Sequence, residues 1–326
     1  MNVLPRWVAA LAALLPALLS PWAHAQSPEW PKKTITLVVG FAAGGATDTG
    51  ARVVAKKLSE NLGQTVVVEN RPGAGGNLAH QHVARATPDG STILLGSVGP
   101  LSIAPHLMKL PYDPVRDLAP LTLGMTFPNV LVVGSQVGVK TLADFIKLAK
   151  QKPGGLDYAS TGAGSASHLA GELLNAQADM DTVHIPYKGG APALQDLLGG
   201  RVAAYYSTWS TAQPHVESGK LVALASTGLK RPEFLPQVPT IAESGYPGFS
   251  ATNWYAFVAP GKTAPELLER WNRELVKALN APEVKAELLK HGMLAQPGSR
   301  DELARFISAE SAVWGKLIRD RKITAE

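Results

Sequence analysis

The stretch Gly40-Phe41-Ala42-Ala43-Gly44-Gly45-Ala46-Thr47-Asp48 decides how this chain is read. It follows an apolar, β-branched run over residues 34–39. After it, Ala51, Val54, Ala55, Leu58 and Leu62 recur at helical spacing, and Gly63 stops the helix. The reading is strand, bare loop, helix, with Thr47 or Asp48 expected to cap the helix start. Such a loop leaves backbone N–H groups free at the positive end of a helix dipole, which suits an anion. A second stretch, Tyr158-Ala159-Ser160-Thr161-Gly162-Ala163-Gly164-Ser165, has the same form. Two such loops facing each other could hold one carboxylate-bearing ligand.

The pattern between and around these loops is a strand–helix rhythm. Strands are expected at 66–68, 92–95, 130–133, 156–159, 183–185, 202–206, 221–225 and 254–258. Helices are expected at 77–85, 141–150, 165–178, 192–198, 265–279, 282–290 and 299–319. Strands apolar on both faces argue for parallel sheet covered by helices. Two passages break the rhythm. One carries Pro100, Pro105, Pro111, Pro114, Pro120 and Pro128, and the other spans 228–248. They suggest two α/β lobes joined by two crossovers. The expected division is residues 26–126 and 253–326 for the first lobe and 127–252 for the second.

The N-terminus is set apart from the fold. Arg6, an apolar run over 7–20 and Ala23-His24-Ala25 form a signal-peptide pattern over residues 1–25, with cleavage before Gln26. The expected location is therefore the periplasm. The chain has no cysteine among its 326 residues, which excludes thiol catalysis, cysteine-based metal sites and disulfides. The net charge of +5 is mild, and the basic residues are scattered. No nucleic-acid partner is expected.

Catalytic motifs are incomplete. A dinucleotide fingerprint starting at Gly73 would need glycine where Leu78 stands, and one starting at Gly162 would need it at Ser167. A nucleophile elbow at Ser165–Ser167 would need glycine at His168. Ser165 is better read as a helix cap. His168 and Glu172 share a helix face, but no third metal ligand is evident. The chain is expected to be neither an enzyme nor a holder of a metal or cofactor. In Tyr205-Tyr206-Ser207-Thr208-Trp209, strand alternation would turn one tyrosine into the core and the other outward. Asn253-Trp254-Tyr255 reads as hinge or core packing.

In this order and spacing, several motifs carry a family resemblance. They are Val38 to Asp48, Asn70-Arg71-Pro72-Gly73-Ala74-Gly75-Gly76, Asp157 to Leu169, His184-Ile185-Pro186-Tyr187-Lys188-Gly189-Gly190, Val238 to Gly245, and Trp254 to Gly261. The chain resembles the solute-binding proteins of tripartite tricarboxylate transporters, the Bug or TctC-like family. The resemblance implies a two-lobed, type II-like periplasmic binding fold. It would have two mixed, mostly parallel sheets flanked by helices and a ligand in the cleft. It implies a monomer that takes a small carboxylate and delivers it to membrane permease subunits. A binding protein that signals to a membrane sensor kinase is the alternative. The ligand contacts it implies fall on Phe41, Ala42, Gly44, Gly45, Ala46, Thr47 and Asp48, and on Thr161, Gly162, Ser165 and His168. Ala74, Gly75, Asn77, Ser97, Tyr187, Ser207 and Thr208 are lesser expectations. The family often has acids where Ala203 and Ser207 stand here. Their loss disfavours a ligand bearing an ammonium group.

Overall fold

Helices cover both faces of the inner strands, which are buried at successive positions. A computed structural model describes residue 30 and residues 33–324. The signal-peptide reading lies outside them. Among the described residues no helix is long and apolar enough to cross a membrane.

The first lobe opens with β1 (Ile35–Val39), α1 (Ala46–Leu62), β2 (Val66–Asn70), α2 (Asn77–Ala84) and β3 (Thr92–Ser97). A wide turn at Gly99–Ile103 leads to α3 (Ala104–Leu107), then β4 (Leu118–Gly134), which passes into the second lobe, where α4 (Leu142–Gln151) follows. The second lobe continues with β5 (Asp157–Ser160), α5 (Ala166–Ala178), β6 (Val183–Pro186) and α6 (Gly190–Leu198). Next come β7 (Ala204–Thr208), α7 (Trp209–Glu217) and β8 (Leu221–Ser226). The chain then returns through β9 (Thr252–Pro260), α8 (Pro265–Asn280), α9 (Pro282–Lys290), β10 (Leu294–Ala295) and α10 (Arg300–Arg321).

The strands run in the order β2-β1-β3-β9-β4-β7-β5-β6, with β8 and β10 also paired to β4. Parallel pairing is confined to the outer strands: β1 with β2 and β3, and β5 with β6 and β7. The central strands β4 and β9 are antiparallel to their neighbours. The sheets are therefore mixed, and the two lobes share β4.

That strand is longer than the sequence suggested. The prolines at 120 and 128 pointed to a connection, with a strand only at 130–133. Instead β4 runs unbroken for 17 residues. Pro120 sits beside a register shift against β9, where a ladder donor is dispensable. Pro128 sits where β4 changes partner: Pro128 faces Thr252 of β9, and Asn129 faces Thr208 of β7. A missing N–H costs least at such a handover. The second crossover is tied to the same point, since Thr227 N–H donates to the Asn129 carbonyl at 2.9 Å.

Alternation along β1 sets the packing of the first lobe. Leu37 and Val39 face α1 and α8, meeting Val54, Leu58, Trp271 and Leu275. Val38 faces the other way, toward Val83, Leu101 and Trp314. In the second lobe Tyr206 packs with Tyr158, Phe145 and Leu169, and Tyr205 with Ala193, Leu197 and Trp209. The two tyrosines do point to opposite faces. Neither is turned to solvent, because helices cover both sides, and both are buried.

Candidate functional site

The first glycine loop is braced from behind. Helix α1 starts at Ala46, with Gly45 as its N-cap and no side chain capping it. The expected caps, Thr47 and Asp48, lie inside the first turn. The Asp48 carboxylate reaches back instead. It accepts from the Gly44 N–H at 3.0 Å, from Arg52 Nε at 3.0 Å and from Asn70 Nδ2 at 3.1 Å. Asn70 Nδ2 also donates to the Phe41 carbonyl at 3.0 Å. Burial by itself would raise the Asp48 carboxyl. The hydrogen bonds from Arg52, Gly44 and Asn70 outweigh it and hold the group below the ordinary carboxylate range.

The second loop is braced by a histidine pair. Ser165 is the N-cap of α5 and accepts from the His168 N–H, as the sequence suggested. His168 Nδ1 accepts from the Gly164 N–H at 3.2 Å. Its ring stacks on His184, with centroids 4.0 Å apart. His184 Nε2 lies 2.5 Å from Ser160 Oγ, which accepts from the Gly162 N–H at 3.0 Å. Desolvation, with the His184 charge adding to it, lowers His168 to about 3; desolvation lowers His184 to about 4. Both rings stay neutral and can serve as acceptors. Ser167 Oγ ties the loop on its cleft side, accepting from the Thr161 N–H at 2.9 Å.

The two loops face one shared gap. It is lined by Phe41, Gly45, Ala46, Thr47, Ser97, Val98 and Gly99 on one side. Thr161, Ser165, Ala166, Ser167, Gly190, Tyr205, Tyr206 and Thr208 line the other, and Asn129, Asn253 and Tyr255 lie between. The loops close tightly over it. The Ala42 N–H donates to the Lys188 carbonyl at 3.2 Å. Gly75 packs on Gly162 and Ala163.

Four helices point their N-termini at this gap. They are α1 at Gly45–Thr47, α5 at Ser165–Ser167, α6 at Gly190 and α7 at Thr208. No side chain caps α1, α6 or α7. None of the lining residues is an acid, lysine, arginine or histidine. The tyrosines stay neutral too, because burial pushes Tyr205, Tyr206 and Tyr255 well above the ordinary phenol value. The electrostatic character of the gap is therefore that of peptide dipoles, which are positive at helix N-termini. Three buried polar atoms also lack a protein partner here: Ser97 Oγ, Asn129 Nδ2 and Asn253 Oδ1.

Of the residues expected at the site, Phe41, Gly45, Ala46, Thr47, Ser97, Thr161, Ser165 and Thr208 line the gap. The others do not. Ala42 and Gly44 spend their N–H groups on Lys188 and Asp48. Asp48 and His168 act from behind the loops. Gly75 and Gly162 belong to the loop-to-loop contact, where backbone meets backbone, and the Ala74 carbonyl accepts from Asn77. Asn77 donates to the Ala74 carbonyl and accepts from the Tyr112 hydroxyl. Tyr187 donates to Asp196 at 2.8 Å, and Ser207 Oγ donates to the Thr208 carbonyl. Glu172 accepts from Tyr158 rather than joining His168.

Sequence reading missed Asn129, Ser167, Asn253 and Tyr255. Asn129 and Asn253 stand in otherwise apolar strand runs, and that polar interruption was the available signal.

Comparison with known proteins shows the family. Residues 50–323 match the family described as the tripartite tricarboxylate transporter family receptor. BugT of Bordetella pertussis is 37% identical over 293 residues, covering 89% of this chain and 90% of BugT. A Rhodopseudomonas palustris protein solved with adipate superposes with a TM-score of 0.87 at 35% identity, over 90% of this chain and 99% of that one. MatC of Rhodopseudomonas palustris, with bound malate, superposes with a TM-score of 0.84 at 34% identity, over 88% of this chain and 99% of MatC. A two-lobed fold, two N–H-rich loops on one gap, and full-length relatives place this chain in the tripartite tricarboxylate transporter receptor family.

Proposed function

We propose that this protein captures a small organic carboxylate between its lobes and delivers it to the membrane permease of a tripartite tricarboxylate-type transporter. The observation that carries the reading is the meeting of four helix N-termini on a gap whose lining holds no ionised side chain. Each terminus is worth roughly half a positive charge, so four are worth about two. That suits one or two carboxylates. The first-turn N–H groups of α1 and α5 would hold one carboxylate, with the Thr161 and Ser165 hydroxyls beside them. An ammonium group would find no acid among the lining residues. The adipate and malate held by two related proteins support an acid of this size.

Binding works by closure. The loops meet backbone to backbone over the gap, so they must part to admit a ligand. The acid then bridges both loops and shifts the population back toward the closed form. Micromolar affinity corresponds to about −8 kcal/mol, within reach of a few charge-assisted hydrogen bonds plus burial. The lobes would divide near residues 126/127 and 252/253, beside the partner change in β4. Export to the periplasm by cleavage before Gln26 and action as a monomer complete the reading.

The test is calorimetry and thermal shift of the purified mature protein with malate, succinate, adipate and aspartate. Uptake of the labelled acid in a deletion strain follows. Binding of at least one ammonium-free acid, with uptake lost in the deletion strain, supports the proposal. A protein indifferent to every organic acid sinks it.

A further inference from the structure

Three buried atoms at one end of the gap have no protein partner, and they lie along neighbouring strands. Ser97 of β3 pairs with Tyr255 of β9, and Asn253 lies two residues from Tyr255 on the same face. Asn253 in turn pairs with Phe127 of β4, and Asn129 lies two residues further along that face. The three side chains are more than nine-tenths buried and line the gap.

The two amides are already in contact. Asn253 Nδ2 lies 3.5 Å from Asn129 Oδ1. This leaves Asn129 Nδ2 as a free donor and Asn253 Oδ1 as a free acceptor. Exchanging O and N in both amides changes which residue supplies which role. It still leaves one donor and one acceptor. A carboxylate accepts without donating, so it would face the free oxygen unfavourably. An ammonium donates without accepting, so it would strand the free N–H. A hydroxyl does both.

The geometry points to Asn129 and Asn253, with Ser97 beside them, as the ligand-selecting end of this gap, where they take a hydroxyl of the bound acid. The preferred ligand class is thus a hydroxycarboxylate. This rests on the carboxylate-binding reading above and narrows it. The backbone around the pair is fixed independently of any ligand. Thr227 Oγ1 accepts from the Asn129 N–H at 2.9 Å and donates to the Ala251 carbonyl at 2.9 Å. The backbone that carries the Asn129 amide is therefore in place before a ligand arrives, and the Asn253 amide lies against it. An acid lacking the hydroxyl would bury both free atoms unpaired, which a preformed polar site rejects strongly.

The experiment is calorimetric titration of the mature wild-type protein with matched acids. The pairs are malate with succinate, 3-hydroxybutyrate with butyrate, and 4-hydroxybenzoate with benzoate; aspartate is added as the ammonium probe. The expected result is that, in a pair that binds, the hydroxy acid binds at least about tenfold more tightly than its partner. Asn129→Leu and Asn253→Leu, which keep side-chain size, should erase that ratio while the deoxy acid still binds. The wild-type ratios stand by themselves should either variant fail to fold. Smaller ratios in every binding pair, aspartate matching malate, or a ratio that persists in folded leucine variants would each overturn the inference and leave carboxylate binding intact. If no carboxylate binds, both readings fall together.

Discussion

Gly99 and Gly164 meet backbone to backbone across the cleft: a Cβ atom at Gly99 would stand 2.7 Å from the Gly164 carbonyl oxygen. Gly99 has no positive φ, so alanine fits its backbone without strain. The substitution Gly99→Ala therefore separates closure from folding. The free protein should keep its stability, or gain up to about 1 kcal/mol from a less flexible unfolded chain. Ligand affinity should fall by about tenfold or more, because the closed form meets a steric obstacle. Melting temperature and calorimetric Kd, measured on one preparation, check both signs.

Asp48 supports the first loop without lining the gap. Asp48→Asn should cost about 1 kcal/mol, since the Gly44 N–H and the half-exposed Arg52 guanidinium lose a charged acceptor. Affinity should weaken as well, through a looser loop rather than a lost contact. Urea unfolding gives the first quantity and titration with a bound acid the second. Unchanged stability would show that Asn70 alone holds the loop.

Ser165 has two jobs. Its hydroxyl caps α5 by accepting from the His168 N–H at 3.3 Å, and it borders the gap. Ser165→Ala should destabilise by about 1 kcal/mol, as for other caps, and should weaken carboxylate binding. Chemical denaturation and calorimetry on the same variant separate the two effects.

Stability should fall in mild acid. His80, His168 and His184 are held neutral in the folded protein by desolvation, at about 4, 3 and 4. Their unfolded counterparts protonate near the ordinary value of about 6.5. Between these limits the unfolded chain binds more protons, so stability rises with pH and is lost as pH drops below about 6.5. For His80 and His168 the slope approaches about 1.4 kcal/mol per pH unit each. The contribution of Asp48 has a different window. Its lowered carboxyl stabilises above the unfolded value near 3.8, and that support disappears as pH falls further through its folded value. Urea melts between pH 7 and pH 4.5 read this loss, against a smaller opposite contribution from the Glu172 carboxyl that burial raises, and His80→Gln should flatten the curve.

Much of this was written locally in the chain. The run before Gly40 and the helical spacing after Asp48 were enough to place β1, the first loop and α1. Gly162 and Ser165 did the same for β5 and α5. What escaped was set by distant partners. Pro120 and Pro128 hid the continuity of β4, because proline's tolerance in a strand depends on where the neighbouring strand ends. Asp48 and His168 carry the chemistry of ligand contacts, and nothing local tells which way such a side chain turns. Asn129 and Asn253 become a pair only through the register of β4 against β9. The α7 helix was overlooked because Pro214 lies inside it, one residue before the last-turn His215.

The unbroken course of β4 limits how relatives of this protein can exchange parts. A single polypeptide segment fixes register for both halves, so one added or deleted residue inside it would invert the facing of side chains beyond that point. Swapping one half between two such proteins requires cuts on both crossing segments at matching rungs. A lone cut would join mismatched ladders. Inheritance of new specificities is thereby steered toward changes in loops and single side chains around the gap, and away from wholesale recombination of halves.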